Sequence, residues 1–180
     1  AFAPSSSTTR WQCIEDGKPL SISEDKSICD EESLIILEGD SIPSRAVQAY
    51  DALREPSPRP HFLRDWLKHP SGRVMALVDS SRRCHGFGRI RPCLLQDGKG
   101  WRIGPLLADS PKLAELLLRK LLAHHPGVVL LDAPGSNPFA VELFKKLGFK
   151  AISQTVRMYR GEQPPTSMRE VYGLACLELG

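Results

Sequence analysis

One unbroken apolar run, Val128-Val129-Leu130-Leu131, lies between two stretches of helical periodicity. A strand without polar alternation is buried on both faces, so it must lie inside a sheet that is covered on both sides. The helix before it runs from Pro111 to His124, with Leu113, Leu116, Leu117 and Leu121 in one apolar row and Leu118 and Leu122 in a second. Ser110 or Asp109 caps this helix, and Pro111 suits its first turn. Glu115 and Arg119 stand four residues apart on its wet side, in the favourable orientation. The helix after the run opens at Asn137-Pro138, buries Ala140, Leu143, Phe144 and Leu147, and stops at Gly148. The middle of the chain is therefore built from β-α-β units, parallel by right-handed crossover.

Upstream, Leu34 to Leu37 reads as a strand stopped by Gly39-Asp40, and Ser41 to Ser44 opens a helix bearing Ala46, Val47, Tyr50 and Leu53. Phe62, Leu63, Trp66 and Leu67 form a short second helix, followed by strands at Val74–Val78 and Gly86–Leu95 and, across an Asp97-Gly98 turn, Trp101–Leu107. Phe149–Tyr159 and Val171–Leu179 complete the sheet. The expected fold is α/β: a mixed, mostly antiparallel sheet with central parallel β-α-β units and helices on both faces. Residues 1–32 read as an N-terminal arm or linker, with one edge hairpin from Trp11 to Leu20, and 33–180 as the folded domain. The opening residue is Ala1, and Ala1 to Arg10 is rich in Ser and Thr, as in a linker, a tag remnant or the end of a transit segment. The arm and the last strand are candidate edges for pairing with a second copy.

Composition narrows the function. With 24 Lys and Arg against 21 Asp and Glu, the net charge is +3, which leaves no electrostatic footprint for nucleic acid. No apolar run approaches the roughly 18 residues of a membrane-spanning helix. Five cysteines, at 13, 29, 84, 93 and 176, have neither zinc-ligand nor redox spacing, so no metal is expected. An odd count favours a reducing, cytoplasmic setting.

Two places break local rules. Gly104-Pro105 interrupts a strand: proline gives no N–H to the ladder, and glycine marks a bulge or a close backbone approach. A strand bent here would part from Val128–Leu131, and the freed amides of Leu106 and Leu107 could pair with an extended amide-bearing ligand. The second place is Ala108-Asp109-Ser110-Pro111, a strand-to-helix turn at a helix N-terminus, where anions bind or a plain cap sits.

The stretch Asn137-Pro138-Phe139-Ala140-Val141-Glu142-Leu143-Phe144-Lys145-Lys146-Leu147-Gly148-Phe149 resembles the late helix motif of the GNAT superfamily of acyl-CoA N-acyltransferases. Gly86–Cys93, Arg102–Asp109, Arg157–Gly161, Tyr50-Asp51, Phe62–Leu67 and Glu178–Gly180 resemble the subgroup found as the C-terminal module of two-module acetyltransferases. The resemblance implies acetyl-CoA as co-substrate, its pantetheine arm between 103–107 and 128–132 and its pyrophosphate at the start of helix 111–124. Implied cofactor contacts are Leu106, Leu107, Asp109, Ser110, Lys112, Asn137 and Phe144. The implied reaction is acetyl transfer to a primary amine of a small molecule by direct attack, with a second GNAT module or a homodimer as partner.

The sequence departs from the superfamily pattern twice. Asp109 to Ala114 holds no glycine, and Phe144 stands where a tyrosine often serves as general acid. The alternative reading is therefore a catalytically degenerate GNAT-fold module that binds a ligand or a partner domain. Candidates for substitute acid–base work are Tyr159, Asp132 and Glu38, with Tyr172 beside them. Arg89 and Arg91, alternating on one strand face, are candidates for holding an anionic substrate group. Cys84-His85 is a weaker candidate for a nucleophile pair.

Overall fold

The computed structural model describes residues 2–15, 34–55, 58–96, 98–162 and 167–177. In chain order the elements are β1 (Phe2–Glu15), β2 (Ile35–Glu38), α1 (Ser44–Ala52), α2 (Pro60–Lys68), β3 (Arg73–Val78) and β4 (Cys84–Leu95). They continue with β5 (Gly98–Ala108), α3 (Pro111–Leu122), β6 (Gly127–Pro134), α4 (Pro138–Lys146), β7 (Lys150–Arg160) and β8 (Val171–Gly173). The eight strands form one sheet, ordered β2-β3-β4-β5-β6-β1-β7, with β8 attached to β5. Among the described strands, β5 and β6 pair in parallel and the other pairs are antiparallel.

Side-chain alternation sorts the core into two layers. Val74, Ala76, Phe87 and Leu107 pack with Val47 and Tyr50 of α1 and Leu63 of α2. Met75, Leu77, Ile90, Ile103 and Leu131 pack on the opposite face with the leucines of α3 and with Ala140, Leu143 and Phe144 of α4. The Ser110 hydroxyl accepts from Leu113 N and the Asn137 amide oxygen accepts from Ala140 N, so both caps expected from sequence are in place. Glu115 accepts from Arg119 at 2.8 Å and from Lys146 at 2.7 Å, tying α3 to α4.

The ends of the chain differ from expectation. Residues 2–15 are no loose arm: β1 runs for 14 residues between β6 and β7 and is bonded to both. Trp11 is 4% exposed and meets Phe144 at 5.6 Å, so this strand carries part of the core. The second half of the expected Trp11–Leu20 hairpin lies outside the described residues. The last strand is short and buried, and neither it nor β1 is a free edge; β2 and β7 end the sheet.

Candidate active site

The strand interruption does what Gly104-Pro105 demands. β5 and β6 pair only at Trp101–Val129, Arg102–Leu130 and Ile103–Leu131, and then they separate. The peptide bond at Gly104-Pro105 is cis. The opening so made is filled by the chain itself. Leu106 faces Gly173 and Leu107 faces Val171, while Ala108 N donates to Glu170 O at 3.1 Å. On the other side Leu174 N donates to Asp132 O at 2.8 Å. A Cβ placed on Gly104 would lie 2.1 Å from Leu174 O, so glycine is required by the closeness of this packing. The segment 170–174 occupies the pseudo-strand position that an extended ligand would need.

Asn137 reinforces the closure. It is fully buried, and its Nδ2 donates to Val171 O at 2.9 Å while its Oδ1 caps α4. Both ends of its amide are spent inside the fold, so it is not available to a cofactor. Phe144 is likewise buried, between Trp11 and Phe149.

The turn before α3 is also committed. The Asp109 carboxylate accepts from Tyr50 Oη at 2.7 Å and from Arg54 Nη2 at 2.8 Å, and its other oxygen meets His85 Nδ1 at 2.9 Å. His85 Nε2 reaches Asp79 at 3.1 Å, and Arg54 also pairs with Glu170. Burial, with the hydrogen bond to Asp109 next, holds the Tyr50 phenol far above its ordinary range. A carboxylate thus stands at the corner where a pyrophosphate would dock, and Lys112 points to solvent. The Cys84 thiol is pushed up to about 12 by burial and donates to Gly86 O, while the His85 ring serves Asp79 and Asp109. The two are not a nucleophile pair.

The acid–base candidates are scattered. Glu38 is exposed on edge strand β2, bound to Arg73 at 2.7 Å, and lines a groove of about 490 Å³ with Asp40, Lys68 and His69. Two strands separate it from β5. Tyr159 lies on β7, beyond β1, with its hydroxyl 3.4 Å from Arg157 Nη1. Tyr172 is 1% exposed, and burial pushes its phenol up to about 12. Asp132 lies at the parting of β5 and β6, with both its oxygens held by the Arg10 fork at 2.7 and 3.0 Å, and Tyr172 belongs to the segment that fills the opening.

Arg89 and Arg91 do come together, over the indole of Trp66 at 4.8 and 5.0 Å. Trp66 Nε1 donates to Gly104 O, which joins this group to the strand interruption. Sequence reading missed Trp66 as a site residue. Its helical spacing with Phe62 and Leu63 spoke only of a core stripe, whereas the ring stacks on Phe62 and reaches over β4 and β5.

A family model described as an acetyltransferase (GNAT) domain matches residues 47–173. The chain belongs to this acetyltransferase family. Holothin acyltransferase from Pseudoalteromonas sp. (strain SANK 73390) is 33% identical over 125 residues, covering 68% of this chain and 41% of that protein. A putative acetyltransferase from Pyrococcus horikoshii superposes with a TM-score of 0.71 at 23% identity, over 97% of this chain and 52% of that one. A GCN5-related N-acetyltransferase from Sphaerobacter thermophilus gives 0.60 at 13% identity, over 87% and 51%. The chain spans about half the length of these relatives. The two structural matches establish the GNAT fold.

Members of the family use an acyl-CoA. The group does not fit this GNAT module as it is folded. β8 fills the opening, a glycine-rich phosphate cradle is lacking, and Asp109 sets a negative charge at the expected anion corner. No helix of the described residues is long and apolar enough to cross a membrane, and no described cluster of His, Cys, Asp and Glu is suited to a metal.

Proposed function

We propose that this chain is the ligand-binding, catalytically degenerate GNAT module of an acyl-CoA-dependent N-acyltransferase that acts on a small-molecule amine. The observation that carries this reading is the seating of 170–174 between β5 and β6, where the acyl carrier would otherwise pair. Three further features agree with it. Phe144 has no proton to give, Asn137 is consumed by β8, and Tyr159 and Glu38 stand away from the opening. The family and the acyltransferase relative support acyl transfer as the work of the whole protein.

A second reading has one observation in its favour, the separation of β5 from β6 itself. On that reading acetyl passes from acetyl-CoA to a primary amine within this module, after 170–174 withdraws. Titration of acetyl-CoA into the protein, followed by calorimetry and thermal unfolding, tests the choice. A ligand at 100 times its Kd adds about 2.7 kcal/mol of stability. We expect no saturable heat and no such gain. Saturable binding with thiol release across an amine panel would establish the second reading instead.

A further inference from the structure

The sheet face under α2 gathers Arg10, Arg89, Arg91 and Arg102, with Asp132 as a described carboxylate among them. Arg102 of β5 lies directly across from Arg91 of β4, and Arg10 of β1 reaches the same side through Asp132. Burial raises the Cys93 thiol above its ordinary range, and the charges of Arg102, Arg91 and Arg10 oppose that rise together. One carboxylate of this face is clamped: Asp132 accepts the Arg10 fork and lies 3.6 Å from Arg102. Arg10 and Arg91 have additional interactions of their own.

Arg89 is different. It is 1% exposed and has no carboxylate partner among the described residues, where its Nε, like that of Arg102, also finds no hydrogen-bond acceptor. Its Nη2 donates to Ser71 O, and its guanidinium rests on Trp66. Burial, followed by the neighbouring charge of Arg91, draws its pKa down to about 10. A buried guanidinium with one backbone acceptor and one ring is under-compensated, because desolvation of a cation costs several kcal/mol unless it is paired. Trp66, Arg91 and Cys93 are only half-buried, so the group reaches solvent on that side.

We infer that Arg89, flanked by Arg91 and Arg102 and floored by Trp66, binds the carboxylate of a small-molecule ligand. The positive charge of Arg89, which no described carboxylate matches, calls for an anion. A guanidinium fork fits a planar carboxylate, and the indole gives an apolar group attached to it a surface to lie on. The neighbouring Arg10–Asp132 pair shows the same chemistry supplied from within the chain. The inference rests on the ligand-binding reading of the module and names the class of its ligand.

Benzoate, benzamide and inorganic phosphate are the probes. Calorimetry on the wild-type chain should give saturable binding of benzoate with a Kd in the millimolar range or tighter, and none of benzamide. Phosphate binding as tight as benzoate would overturn the carboxylate assignment. So would equal binding of benzamide, or no benzoate binding at all. Arg89→Met should abolish the benzoate response while leaving the melting temperature of the ligand-free protein within a few degrees of wild type, since relief of a buried, under-compensated cation offsets the lost contacts with Ser71 O and Trp66. An unchanged benzoate affinity in that variant would overturn the site. Should it not fold, Arg102→Gln serves, with at least a threefold loss of benzoate affinity expected and an unchanged affinity counting against the site. Acetyl-CoA in a parallel cell separates the two ideas. Its binding would defeat the degenerate-module reading whatever benzoate does, whereas silence from both defeats only the carboxylate site.

Discussion

Gly104→Ala tests how tightly the C-terminal segment is seated. Alanine in place of glycine usually stabilises a protein by about 0.4–1 kcal/mol, where the backbone tolerates it, because the unfolded chain loses freedom. Here the sign should reverse. The new methyl would lie 2.1 Å from Leu174 O, 3.0 Å from Ala175 O and 3.2 Å from Leu174 C. Ordinary contact begins near about 3.5 Å, so the segment must retreat by roughly 1 Å or more. That retreat breaks the 2.8 Å bond from Leu174 N to Asp132 O and loosens the pairing of Gly173 with Leu106. Overpacking costs about 1–3 kcal/mol and each lost hydrogen bond about 1, so the variant should lose roughly 2–5 kcal/mol. Guanidinium unfolding should show a lower midpoint with the slope unchanged. Amide exchange should speed up at Leu174 and Gly173, while Ile103 and Val129, on the paired side of the parting, keep their protection. A stability within about 0.5 kcal/mol of wild type, or a gain, would refute the seating, since only the entropy term would then be acting.

Asn137→Ala removes the cap of α4 and the donor to Val171 O together, so a loss of about 2–3 kcal/mol is expected in denaturant unfolding; Asn137→Ser keeps a cap and should fall between. Glu55, beside Asp51 and paired with Arg59, is pushed up to about 7 by burial, with Asp51 adding to the rise and Arg59 and Arg157 opposing it. A raised carboxyl pKa means that the native state binds more protons than the unfolded one between the ordinary glutamate value and about 7, so stability falls as pH rises through that window. Glu55→Gln should therefore gain on wild type by roughly 1–3 kcal/mol in unfolding measured first at the acid end of that window and then above it. An unchanged difference would show that the carboxyl titrates normally. Cys84, held protonated, should resist iodoacetamide in native buffer while half-buried Cys93 reacts; equal rates would contradict the buried thiol.

Periodicity alone made much of the molecule legible. The two helices around Val128–Leu131, their caps at Ser110 and Asn137, the Glu115–Arg119 pair and the parting of the strands beyond Ile103 all follow from local chemistry that acts within a turn or two. Phe144 and the glycine-free stretch after Asp109 raised a degenerate module as the alternative to the transferase reading, because a missing hydroxyl and a missing cradle are visible without coordinates. The strand at 2–15 was not legible. Its serines, threonines and Pro4 have weak preferences, and it is a strand only because β6 and β7 offer it ladders on both sides. Nor does sequence say what occupies an opening. That 170–174 lies against Gly104, that Asp109 is captured by Tyr50 and Arg54, and that Trp66 floors Arg89 are contacts between segments far apart along the chain. Local preference shapes each element, but only the packing of the whole decides which distant partner fills the place beside it.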